Sequence, residues 1–299
     1  MTKTLIIGLG SIGLRNFKIL KKFKKISDIK VITNRKIKGI KKIELKKLSL
    51  IKYNPDYIII STPTAKHFSN LKMVNSIFRN KTILVEKPLF HKKISKIKLK
   101  NKVFVGYNMR FKPILQFIKK VIKEDGNDHL LSANVYCGSY LPHWRENIHY
   151  SKSSSASKKL GGGVYNDLSH EIDIINWLFG NFKKKFSILE KKSRLKISSD
   201  DTFILCGKLQ NVRKSVLSIN LNYYSKISHR LLILDFEKKT IHADLINNFV
   251  RIKYLSNKEF KKSFANYNLD FSYLKMHESI INKDFKNLCS YNQGLKYII

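Results

Sequence analysis

The run Leu5-Ile6-Ile7-Gly8-Leu9-Gly10-Ser11-Ile12-Gly13 constrains this chain more than any other stretch. A short apolar segment stopped by glycine reads as a buried parallel strand. From Ile12 to about Phe23, apolar residues recur at helical spacing (Ile12, Phe17, Ile19, Leu20, Phe23), so a helix follows directly. Strand, glycine turn and helix in that order form a βα unit whose turn can hold a pyrophosphate. Gly8 permits the tight turn, Gly10 lets the backbone approach the phosphates, and Gly13 lets helix and strand pack closely. The amides of Ser11, Ile12 and Gly13 add donors and partial positive charge at the helix start. The competing reading is a glycine-rich strand–helix turn that binds nothing. The spacing alone is weak evidence, and its place between a strand and a helix strengthens it.

The segments that follow repeat the alternation. Strands are expected at Ile29–Thr33, Tyr57–Ile60, Thr82–Val85 and Val103–Val105, with a helix from Thr64 to about Phe78. Alternating strands and helices imply a parallel sheet with right-handed crossovers. After Pro113 the texture changes. A helix (Ile114–Ile122), a strand (Leu131–Tyr136), a Ser/Lys loop (Ser151–Lys159) and a helical run from Gly163 to about Phe179 come first. Strand-like segments then follow one another at Phe186–Leu189, Thr202–Leu209, Ser215–Tyr223, Leu231–Phe236, Thr240–Leu245 and Phe249–Leu255, before a last helix at Phe271–Leu288. Successive strands without helices between them suggest an antiparallel sheet. The expected fold class is α/β: an N-terminal Rossmann dinucleotide-binding domain (1–112), then an α+β domain with a largely antiparallel open sheet (113–299).

Charge bears on the choice of partner. The chain of 299 residues carries a formal charge of +38, which raises the possibility of a nucleic-acid or anionic-membrane partner. Only nine of its 59 basic residues are Arg, the side chain that reads phosphates and bases bidentately. Lys is instead spread along the whole chain alongside abundant Ile and Asn, a compositional bias that fits solvated faces. The expectation is therefore no nucleic acid, no membrane, and a positive field that speeds the arrival of anionic cofactors and substrates. The three cysteines, Cys137, Cys206 and Cys289, form no C-x-x-C pair, so neither a disulfide framework nor a metal site is expected. No apolar run approaches the length of a signal region or a membrane span, and the default compartment is the cytoplasm.

Three further features carry chemistry. At the end of the second strand, where NAD enzymes usually place a carboxylate for the ribose 2′-hydroxyl, the sequence reads Ile32-Thr33-Asn34-Arg35-Lys36. Arg35 can pair with a 2′-phosphate, with Thr33 and Asn34 donating hydrogen bonds, which favours NADP over NAD; otherwise Arg35 is one more solvated cation. Glu86-Lys87-Pro88 stands at the carboxyl end of a strand, the edge where open α/β sheets bind ligands. A lysine in a partly dry cleft there can exchange protons near neutral pH. In Gly161-Gly162-Gly163-Val164-Tyr165-Asn166-Asp167-Leu168-Ser169-His170-Glu171-Ile172-Asp173, the residues Asp167, His170 and Asp173 recur every three positions. That spacing is expected to place them near one face of a helix. The pattern fits a metal pair, a proton relay or a capped core histidine, and the lack of a third ligand favours the relay.

Taken together and in this order, these features resemble the Gfo/Idh/MocA oxidoreductase family. The matching pieces are the Gly8 motif, Ser61-Thr62-Pro63-Thr64 with His67, Glu86-Lys87-Pro88, Gly106-Tyr107-Asn108-Met109-Arg110-Phe111, and the Gly161–Asp173 block. The resemblance implies a Rossmann domain followed by an open-sheet domain that forms one wall of the substrate cleft and often a homo-oligomer interface. It places Ser61, Thr62, Pro63, His67 and Glu86 with the cofactor, and Lys87 both there and against the reacting hydroxyl. It makes His170 the acid/base or proton relay, accompanied by Asp167. The family pattern spaces Asp and His by four positions; here the gap is three, and Asn166 holds the four-residue position.

The segment Tyr140-Leu141-Pro142-His143-Trp144-Arg145 resembles a sub-branch found among surface-polysaccharide and acidic-sugar genes. That implies a sugar-type substrate, with Tyr107, Asn108, Arg110, Trp144 and Arg145 as candidate contacts; Trp144 fits a core position nearly as well. The expected function is NAD(P)-dependent hydride transfer to or from a sugar carbinol carbon. The alternative is a cofactor-binding sensor or partner protein without turnover, motivated by the Asp–His spacing and by a C-terminus short for that family.

Overall fold

A computed structural model describes residues 1–34, 42–43, 52–146, 148–210, 212, 215–264, 268 and 270–298. The chain divides into two compact units, Met1–Phe111 with Leu269–Ile299, and Lys112–Asn268. In the first unit β1 (Thr2–Ile7) runs through the glycine turn into α1 (Ser11–Leu20). Then come β2 (Ile26–Ile32), β3 (Lys42–Ile43), β4 (Tyr57–Ile60), α2 (His67–Ile77), β5 (Thr82–Val85) and β6 (Lys102–Val105). The strands are parallel: Ile6 lies opposite Ile59, Ile59 opposite Leu84, and Leu84 opposite Phe104. β4 is buried along its whole length, covered on both faces, and that is why it reads as an unbroken apolar run rather than an alternating one.

The second unit opens with α3 (Pro113–Glu124), whose proline stands in the first turn where no intrahelical N–H is needed. β7 (Leu130–Gly138), α4 (Val164–Asp167), α5 (His170–Phe179), β8 (Phe182–Glu190), β9 (Thr202–Leu209) and β10 (Val216–Asn222) follow, then β11 (His229–Phe236), β12 (Lys239–Asp244), β13 (Phe249–Tyr254) and β14 (Glu259–Ser263). Among the described residues these strands form one sheet in the order β14-β13-β12-β11-β7-β10-β9-β8. β7 and β10 pair in parallel and the remaining neighbours are antiparallel. Alternate residues are buried, as Leu217, Ile219 and Leu221 of β10 and Leu232, Leu234 and Phe236 of β11 show, which is the period-2 pattern of a sheet with one covered face. α5 lies against that face: its Phe179 ring meets Phe236 at 6.5 Å, and its buried Glu171 pairs with Arg230 at 2.7 Å.

The helix expected to run unbroken from Gly163 to Phe179 is in fact two. It stops at Asp167 and restarts at His170. The Ser169 hydroxyl donates to the Asn166 carbonyl (3.0 Å), and the Asp173 amide donates to the Ser169 carbonyl to restart the ladder. A serine that bonds the backbone locally in this way competes with the helix. Asp167 and His170 therefore sit on separate helices, and their three-residue spacing does not give them a shared helical face.

The chain then returns to the first unit through α6 (Asp270–Ile281), β15 (Cys289–Ser290) and α7 (Tyr291–Lys296). Among the described residues the first sheet has the order β15-β6-β5-β4-β1-β2-β3, with β15 antiparallel to β6. Met276, Ile280 and Leu288 join Ile6, Leu9, Leu20, Val31, Tyr57, Ile59 and Leu84 in one buried cluster. The expected boundary at 112/113 placed this segment with the second half; it packs instead into the first. The last helix is also shorter than its expected Phe271–Leu288 span, ending at Ile281 before Lys283 turns left-handed (φ 59°). Ser290 and Gln293 cap α7 reciprocally. Among the described residues no helix is long and apolar enough to cross a membrane.

Candidate functional site

The glycine turn is crowded at two positions and open at one. Gly8 has φ +95°, and a Cβ there would meet Ser61 O and Thr62 N at 2.7 Å. A Cβ on Gly13 would strike the Gly8 carbonyl and the Ser61 hydroxyl. At Gly10 a Cβ would meet nothing within 4 Å. Gly10 is also the residue before α1, where no side chain caps the helix. The first amides of α1 have no intrahelical carbonyl to serve them. Open space at Gly10 beside an uncapped helix start fits a dinucleotide pyrophosphate.

Neighbouring side chains hold the turn in place. Ser61 donates its hydroxyl to the Gly8 carbonyl at 2.7 Å, and Asn70 donates to the Thr62 hydroxyl at 2.9 Å. His67 is buried, with its ring nitrogens 2.9 Å from the Pro88 and Thr62 carbonyls. Burial lowers its pKa, opposed by the neighbouring backbone carbonyls. The ring ties the segment after β4 to the segment after β5. Asn34 is exposed at the end of β2, and Arg35 lies outside the described residues.

Glu86 and Lys87 follow β5 directly. Glu86 is buried and its Oε1 accepts from Asn16 Nδ2 at 2.9 Å. Asn16 Oδ1 faces His277 Nε2 at 3.1 Å, and His277 Nδ1 faces the Tyr57 hydroxyl at 2.9 Å. Burial pushes the His277 pKa down to about 3, so the ring is neutral. An amide oxygen only accepts, so Nε2 carries the proton and Nδ1 accepts from Tyr57. Burial raises the Glu86 pKa, opposed by the Asn16 bond and by the charge of Lys87. Lys87 is half-buried beside it, and the Lys87–Pro88 peptide is cis.

Tyr107, Asn108 and Arg110 are buried within the first unit. Asn108 donates to the Ser272 hydroxyl at 2.7 Å, the Tyr107 ring meets Tyr297 edge-on at 5.6 Å, and Arg110 donates to Tyr297 at 3.3 Å and to Gln293 at 3.4 Å. All three therefore contact the returning C-terminal segment.

In the second unit the described contacts converge on α4. Gly163 has φ +125°, and a Cβ there would lie 2.5 Å from an Asp200 carboxylate oxygen. Asp200 accepts from the Val164 amide through its carbonyl (3.1 Å) and from the Tyr165 amide through its carboxylate (3.3 Å). Burial raises the Asp200 pKa, and the charge of Asp167 adds to the effect. Asp167 accepts from the Tyr223 hydroxyl at 2.6 Å, while Asn166, at the family's four-residue spacing, donates to the Gly161 carbonyl at 3.1 Å. His170 is buried at the start of α5. Trp144 packs edge-on against Tyr223 (5.1 Å, 87°) and donates its indole N–H to Ser139 at 2.9 Å, whereas Arg145 is exposed. Among the described residues no group of three or more His, Cys, Asp or Glu is placed to hold a metal ion.

Sequence reasoning missed Tyr223, Asp200, Asn16 and His277. Their partners lie 33 to 261 positions away, as in Asp167–Asp200 and Asn16–His277, beyond the reach of any local spacing. The one available signal was Asp200-Asp201, two carboxylates immediately before a strand.

No protein-family model matches the chain, and no curated protein matches it in sequence. Solved structures match it over almost its full length. An oxidoreductase from Agrobacterium radiobacter, solved with NAD+, L-tartaric acid and magnesium, is 15% identical, with 99% of this chain and 93% of that one covered and a TM-score of 0.78. The WlbA dehydrogenase from Bordetella pertussis, solved with NADH and UDP-GlcNAcA, is 16% identical over the same shares at TM-score 0.76. A super-repressor mutant of Gal80p from Saccharomyces cerevisiae is 12% identical, again over 99% and 93%, at TM-score 0.80. The chain shares the fold of these proteins, a Rossmann-type parallel sheet followed by a largely antiparallel sheet.

Proposed function

We propose that this protein is a nicotinamide-dinucleotide-dependent oxidoreductase acting on a carbinol or keto carbon of a sugar or sugar derivative. The observation that carries this reading is the glycine turn, closed around Gly8 and Gly13 and open over Gly10. Cofactor binding is assigned to Gly8, Gly10, Ser11, Ile12, Gly13 and Asn34, with Ser61, Thr62, Pro63, His67 and Glu86 shaping the adjoining edge. The bound nicotinamide supplies the hydride acceptor or donor at C4. Lys87 steadies the oxygen that becomes an alkoxide as its proton leaves, and His170 takes that proton, with Asp167 as its acidic companion. The Arg35 position, with no carboxylate between Ile32 and Lys36, favours NADP. A sugar-type substrate is supported by the fold shared with the WlbA dehydrogenase, which was solved with UDP-GlcNAcA. Trp144 and Arg145 are the substrate contacts we retain from the second unit.

Fluorescence titration with NADPH and NADH, followed by a panel of keto- and hydroxy-sugars with the tighter cofactor, tests the reading. Saturable binding with turnover of at least one sugar is expected, and tighter NADH binding overturns the Arg35 argument. The second reading, a dinucleotide-binding partner protein without turnover, draws on the Gal80p fold match. It predicts binding with no sugar reduced.

A further inference from the structure

We infer that Tyr223 is a positioning residue of this reaction, fixing the orientation of Asp167 through the bond from its hydroxyl. This rests on the oxidoreductase reading and deepens it. Asp167 sits one position nearer His170 than the family spacing and on a different helix, so no helical face aims its carboxylate. Tyr223 supplies the aim. Its amide donates to the Asp201 carbonyl at 3.0 Å, and its own carbonyl accepts from Leu141 at 2.9 Å. Its fully buried ring is held edge-on by Trp144, which is itself anchored on Ser139. A phenol so fixed presents its hydroxyl to one carboxylate oxygen, Asp167 Oδ2, at 2.6 Å.

Among the described residues, Asp167, Asp200 and the Gly163 backbone act on that phenol. Burial and the two carboxylates push its pKa well above the ordinary value, so it remains a donor throughout the neutral range. Beside it, burial and the charge of Asp167 raise the pKa of Asp200. Tyr223 also links the Trp144 segment, a candidate substrate contact, to the proton-handling end of α4.

The test is a cycle of Tyr223→Phe, Asp167→Asn and the double variant, read by kcat, sugar KM and NAD(P)H affinity. Phe keeps the ring against Trp144 and removes only the hydroxyl. We expect Tyr223→Phe to lower kcat about tenfold with KM and cofactor affinity within about twofold, and the double variant to be no slower than Asp167→Asn alone. Unchanged kcat in Tyr223→Phe, or losses that multiply in the double variant, would overturn the inference. Should Tyr223→Phe not fold, a fluorinated tyrosine at position 223 keeps the shape with a more acidic phenol. A more acidic donor strengthens the bond to Asp167, so the variant's kcat at neutral pH is expected to shift at least about twofold with KM unchanged; an unchanged kcat would overturn the inference. Absence of turnover in the natural protein marks failure of the oxidoreductase reading itself, and the role of Tyr223 falls with it.

Discussion

Gly8 and Gly10 stand two residues apart under opposite constraints. Gly8 is held left-handed against backbone, so Gly8→Ala is expected to cost on the order of 1–3 kcal/mol or more and to lower the melting temperature. Gly10→Ala has space for its Cβ and keeps an ordinary φ, so it is expected to fold normally. Its methyl enters the space assigned to the pyrophosphate, so NAD(P)H affinity should fall about tenfold or more, ~1.4 kcal/mol. Calorimetry and fluorescence titration of the two variants separate the effects, and equal loss of stability in both would contradict the assignment. His277 makes a second prediction. Its folded pKa, about 3, lies below the ordinary 6.5. The unfolded chain therefore takes up a proton that the folded chain refuses, and stability present above pH 6.5 is lost as pH falls toward 3. His67 acts in the same sense and Glu86, raised by burial, in the opposite one. Melting temperatures should fall between pH 7 and 5, and less steeply in His277→Asn.

At the scale of elements, local pattern and long-range partnership separate. The parallel strands and the glycine turn were legible because apolar runs and glycine punctuation are written locally. The break at Leu168-Ser169 was not, because a serine hydroxyl that turns back on the Asn166 carbonyl leaves the apolar periodicity of the two short helices intact. The return of α6 was hidden for another reason: its apolar residues fit any core, and only the fold shows that Met276 and Ile280 belong beside Ile6 and Tyr57. Likewise Lys87 and His170 stood out by motif, whereas Tyr223 and Asp200 are defined by contacts that no spacing encodes. Since Met276 is fully buried in the core of the first unit, Met276→Ala is expected to cost about 2–5 kcal/mol. The loss should show in the melting transition that NAD(P)H binding protects. A shift confined to a transition insensitive to cofactor would contradict the placement of α6.

At the scale of the whole molecule, the +38 charge sets up a positive field. It draws anions, including a dinucleotide, toward the chain. Lys87 stands at the centre of the proposed hydride transfer. NAD(P)H oxidation with the best keto-sugar should be followed for the natural protein and for Lys87→Ala at saturating cofactor. The natural protein is expected to turn over, while Lys87→Ala still binds the cofactor and shows no turnover above background. Equal rates in the two proteins, or no hydride transfer by either, would contradict this assignment.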